Sequence, residues 1–133
     1  TVSETEWDFE RYKPDIIVIN LGTNDMNYAT TDERKAEFED GYLDFLKKVR
    51  SLNPDSYIFQ TYGVMGTSLE ENIENVRRKY MSETGDERIT FIPLTMRDED
   101  ADGIVADWHP SPRTHSLVSQ KVTAAIKKTL GYK

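Results

Sequence analysis

The chain has 133 residues, 37% of them hydrophobic, which supports one domain with a modest core and argues against a second. Its formal charge of −7 repels phosphate backbones and anionic lipid surfaces, because binding either one draws on clustered Lys and Arg; nucleic acid and membrane are excluded as partners. There is no Cys, hence no disulfide framework and no thiolate zinc site, and no window reaches the roughly 18 apolar residues of a membrane span.

The opening stretch TVSETEWDFERYKP is too charged for a signal peptide, and Thr1 in place of Met fits a piece of something longer. Ile16-Ile17-Val18-Ile19, bounded by Pro14-Asp15 and Gly22, reads as a strand buried on both faces, as in a parallel sheet. Thr30 and Glu33 have the spacing of a capping box, and Phe38, Tyr42, Phe45, Leu46 and Val49 recur at helical spacing until Asn53-Pro54. Tyr57 to Tyr62 is the next strand. Ser68 and Glu71 repeat the capping-box spacing before an apolar stripe of Ile73, Val76 and Tyr80, with Gly85 placed to end that helix. Ile89 to Leu94 is a third strand. Ser111 and Pro112 then open a last helix whose buried face is Val118, Val122, Ala125 and Ile126.

Strands and helices that alternate in this way imply right-handed βαβ units on a parallel sheet, and ligands of such sheets collect beyond the carboxyl ends of the strands. Three segments converge there: Gly22 to Asn27, Gly63 to Thr67, and Thr95 to His109. His109 sits beside Asp107 and Trp108, just before a helix start. An imidazole titrates near neutrality, so it can take a proton from a hydroxyl and return it within one cycle, and a carboxylate on its other nitrogen fixes the tautomer. His115, inside the helix, reads as a packing or capping residue. Trp108 offers an aromatic face that suits a pyranose ring.

The pairing of INLGTND after a buried strand with DWHPS opening the final helix resembles the SGNH (GDSL-like) hydrolases, closest to the carbohydrate esterases that remove acetyl groups from xylan and related glycans. The resemblance runs from about Tyr12 to Leu130. It implies an α/β/α three-layer sandwich around a parallel sheet, a serine-nucleophile esterase needing no cofactor and no metal, an acetylated carbohydrate as substrate, and secretion. It makes Asn24 the oxyanion-hole donor and His109 the general base. The family acid stands three residues before the histidine, where this chain has Ala106, so Asp107 is the available orienter and a backbone carbonyl the other. The family's Gly-Asp-Ser nucleophile block does not precede Ile16. Ser3, Ser51, Ser56, Ser68, Ser82, Ser111, Ser116 and Ser119 read as caps, turns or surface residues. By this resemblance residues 1–133 are the C-terminal part of a single SGNH domain that lacks its first strands. The Ile16 strand then presents an open edge, which pairs with a second copy or with a missing N-terminal segment, or leaves the chain marginally stable.

Two other readings compete. Asp98, Asp100, Asp102 and Gly103 match the opening of a calcium loop, but the twelfth position is His109 where a Glu is expected. The scaffold also fits a catalytically inactive binding module.

Overall fold

A computed structural model describes residues 8–132; the start of the opening stretch, including Ser3, lies outside them. Three strands, β1 (Ile16–Asn20), β2 (Tyr57–Tyr62) and β3 (Ile89–Pro93), form one parallel sheet in the order β1-β2-β3, with Ile17 opposite Ile58 and Phe59 opposite Thr90. The helices α1 (Asp32–Leu52), α2 (Glu70–Thr84), α3 (Glu99–Asp102) and α4 (Pro112–Leu130) complete the alternation read from the sequence. No helix among the described residues is long and apolar enough to cross a membrane.

Strand side chains alternate between faces, so β2 feeds two separate cores. Ile58 packs with Tyr42, Leu43 and Leu46 of α1 and Val76 and Tyr80 of α2. Phe59 turns to the opposite face and meets Ile92, Leu94 and the α4 stripe of Val118, Val122, Ala125 and Ile126. The result is the three-layer arrangement, with α1 and α2 on one side of the sheet and α4 on the other.

β1 departs from the expectation of burial on both faces. Ile19, facing α1 and α2, is buried, but Val18 is 47% exposed. The reason is the position of α4, which covers β2 and β3; on that side of β1 Ile16 packs at the margin of the core and Val18 is left uncovered. β2, the central strand, is the one buried on both sides.

Both expected capping boxes shift by one residue. Thr31, not Thr30, caps α1 by accepting a hydrogen bond from the Arg34 amide at 3.4 Å. Leu69 occupies the N-cap of α2 with no side-chain bond, because its side chain is fully buried against Tyr62 and Ile73 and this burial outweighs what a Ser68 cap contributes. The Ser111 cap and the left-handed Gly85 terminus form as read.

At the carboxyl edge of the sheet, Gly63 adopts φ +147, and any Cβ there would strike the Leu94 carbonyl. That close approach lets Leu94 donate its amide to Tyr62 O at 2.7 Å, and Arg97 then donates to Val64 O at 3.1 Å. The loops after β2 and β3 are thereby laced together beside the site.

Candidate active site

Beyond β1 the chain makes a one-turn 3-10 helix, Asp25–Asn27, with Asn24 as its N-cap. Asn24 has helical backbone angles and makes no capping hydrogen bond, so its exposed amide is available to a ligand. Across the sheet edge, the segment before α4 is pinched into a narrow loop. Ile104 bridges Pro110, and Val105 donates its amide to His109 O at 3.0 Å. The loop closes on a second 3-10 turn, Ala106–Trp108, in which Asp107 and Trp108 take φ values of +55 and +60.

This turn sets the histidine. The His109 ring places Nδ1 3.3 Å from the Ala106 carbonyl oxygen, and its backbone amide donates to the same oxygen at 3.2 Å. A proton on Nδ1 directed at that carbonyl leaves Nε2 as the free base. Asp107 is exposed, and among the described residues no hydrogen bond joins it to His109. Trp108 is 65% exposed beside them.

His109 borders a cavity of about 190 Å³ lined by Asn20 and Thr23 from β1 and its loop, Gly63, Val64 and Met65 from the loop after β2, and Pro110, His115 and Val118 from the start of α4. The three segments read as convergent do meet here. Thr23, next to Asn24, brings the loop after β1 to the cavity wall. His115 is exposed and lines the cavity, which corrects its reading as a packing or capping residue. Asn20 lies inside INLGTND but had no role read for it, and His115 belongs to no motif. Their shared address, one at a strand's last residue and one in the first turns of the following helix layer, emerges only from the sheet order.

In the acidic segment the carboxylates read as a calcium loop are not gathered around one point. Asp98 caps the short α3, accepting from the amides of Asp100 and Ala101 at 3.1 and 3.0 Å, and Asp102 Oδ1 pairs with Arg113 at 2.9 Å. Two of the three carboxylates are thus engaged, and among the described residues no three acidic or histidine side chains gather as a metal group.

The cellulase/esterase CelE of Acetivibrio thermocellus is 37% identical over 139 residues, covering 98% of this chain and 16% of that protein. A family two carbohydrate esterase from Clostridium thermocellum, solved in complex with cellohexaose, superposes with a TM-score of 0.86 at 36% identity, covering 98% of this chain and 41% of that one. The acetyl xylan esterase Est2A from the rumen bacterium Butyrivibrio proteoclasticus superposes with a TM-score of 0.87 at 27% identity, covering 96% and 40%. The chain therefore spans less than half the length of each of these relatives. The sequence profile of the GDSL-like lipase/acylhydrolase family matches residues 2–117, and the chain belongs to that family.

Proposed function

We propose that this chain is the base-bearing part of a carbohydrate esterase that hydrolyses O-acetyl esters of xylan or related glycans, with a serine nucleophile supplied from outside residues 1–133. The observation that carries the reading is the convergence of all three strand-end loops on one cavity with His109 at its border. The relatives support it: one is an acetyl xylan esterase, and another binds cellohexaose. A polymeric glycan substrate in turn places the enzyme outside the cell.

In this mechanism the serine hydroxyl attacks the acetyl carbonyl while His109 Nε2 accepts its proton, and the Ala106 carbonyl holds the ring through Nδ1. The carbonyl oxygen becomes an oxyanion that receives a hydrogen bond from the Asn24 side-chain amide. Collapse breaks the ester C–O bond, and His109 returns the proton to the departing sugar hydroxyl. Water then hydrolyses the acetyl-serine by the same proton path and releases acetate. Trp108, exposed beside the base, offers its ring face to the glycan.

The test uses the full-length protein that carries a Gly-Asp-Ser block. Asn24→Ala and His109→Ala each lower p-nitrophenyl acetate turnover by about a hundredfold or more, with unchanged circular dichroism. Near-wild-type turnover in either variant overturns that residue's role. Residues 1–133 alone are inactive; hydrolysis by them that His109→Ala abolishes would move the nucleophile onto one of this chain's own serines.

A further inference from the structure

We infer that Met26 is the positioning residue for Asn24, and that Gly66 on the neighbouring loop reserves the space in which Met26 sits. The inference rests on the reading of Asn24 as an oxyanion donor and adds to it the device that places the donor.

Asn24 cannot hold itself in place. It is exposed, its side chain makes no cap, and it stands at the head of a single 3-10 turn. A turn this short has little intrinsic stability, so its position comes from its anchors. One is Ala29, buried at its far end. The other is Met26, two residues from Asn24, whose amide donates to Gly22 O at 3.0 Å and whose side chain leaves the turn and crosses to the loop after β2.

The thioether meets two partners there. The fully buried Tyr62 directs its hydroxyl at Met26 Sδ, 3.8 Å away. Gly66 lies against the same sulfur so closely that a Cβ on residue 66 would overlap it, and that Cβ would stand 3.2 Å from Met26 Cε. The Gly22 backbone also packs close to the Tyr62 ring, where a Cβ would lie 3.2 Å from Tyr62 Cε2. The sulfur thus lies between a buried tyrosine and a loop tightened by the Gly66 amide, which donates to Gly63 O at 2.7 Å. A methyl group at residue 66 takes the seat of the thioether, so the flexible Met26 side chain must swing out of it and the turn that carries Asn24 loses that anchor.

An oxyanion donor acts on the transition state and not on the bound substrate, so moving it lowers kcat and leaves KM nearly unchanged. In the full-length esterase, Met26→Ala and Gly66→Ala each lower kcat roughly tenfold with KM within about twofold, while Met26→Leu, which refills the same space, keeps most of kcat. The double variant Met26→Ala/Gly66→Ala is faster than either single one, because the new methyl occupies the volume the thioether vacated. Placed on an Asn24→Ala background, Met26→Ala produces no further loss.

Wild-type kcat in Met26→Ala overturns the inference. So does a double variant slower than both singles, or a Met26→Ala effect that persists without Asn24. If Gly66→Ala does not fold, the Met26 variants and the Asn24 background decide alone. If Asn24→Ala retains full activity, the oxyanion reading itself fails; if Asn24→Ala is slow and Met26→Ala is not, only the positioning inference fails.

Discussion

At Asp107 and Trp108 the backbone enters the left-handed region twice in succession, with φ values of +55 and +60. For a non-glycine residue this conformation costs on the order of 1 kcal/mol or more each, and the bridge between Ile104 and Pro110 holds it in place. The effect is to curl the Ala106 carbonyl under His109, 3.3 Å from Nδ1. In the proposed mechanism a backbone oxygen does what a carboxylate does in a triad. Where an aspartate orients the base, conversion to asparagine costs about 10⁴ in turnover; here Asp107→Asn, which also tolerates the left-handed backbone, is expected to keep activity within about tenfold in the full-length enzyme. A loss approaching three orders of magnitude in p-nitrophenyl acetate kinetics would return the orienting role to Asp107. The roles proposed for His109 and Asn24 come from the sequence because each sits in a short motif. That of the Ala106 carbonyl does not, because every residue has one and only the turn decides where it points.

The elements are joined at their amino-terminal end by Arg50, in the last turn of α1. Its guanidinium donates to the carbonyls of Asn53, Ser56 and Arg88 and pairs with Asp86 at 2.7 Å, while the Tyr80 hydroxyl donates to the same carboxylate at 2.7 Å. One side chain thus ties α1, α2 and the entries to β2 and β3 together, with Arg50 and Asp86 only 14% and 15% exposed. Burial alone raises the Asp86 carboxyl, but the Tyr80 hydroxyl, the Arg88 amide and the two arginine charges outweigh it and hold the group below the ordinary carboxylate value. A pKa lower in the folded state than in the unfolded one stabilises the fold above the unfolded value, about 4, and that stability is lost as pH falls through the depressed folded value. Asp86→Asn is therefore expected to flatten the loss of thermal stability below about pH 4. Arg50→Ala, which strands a mostly buried carboxylate, should cost about 2–3 kcal/mol in urea unfolding at neutral pH. A change below about 0.5 kcal/mol would show the clamp to be idle. The helix starts show the converse limit of sequence reasoning. Thr30 and Thr31 are adjacent and chemically alike, so which of them caps α1 depends on where the incoming loop enters, and at α2 the burial of Leu69 decides the boundary.

For the whole molecule, the sheet order β1-β2-β3 leaves one edge of β1 unpaired among the described residues, with Val18 and Leu21 each 47% exposed. A groove of about 370 Å³ runs beside it, lined by Leu21, Tyr28, Phe38, Tyr42 and Phe45. An apolar edge of this kind recruits a further strand or leaves the chain marginally stable. Residues 1–133 in isolation are accordingly expected to self-associate in sedimentation, to unfold at a temperature that rises with concentration, or to gain stability when the segment preceding them is supplied; a monomer with a high, concentration-independent melting temperature would contradict this. The alternation of strands and helices, the periodic apolar faces and the asparagine and histidine motifs were all readable along the chain, because period, capping chemistry and motif depend on residues close in sequence. Which strand lies at the centre, which residue of β1 stays uncovered, how His115 and Asn20 come to share a cavity with His109, and how Gly66 comes to lie against Met26 were decided by the tertiary structure alone, because each joins residues that only the packing of the sheet brings together.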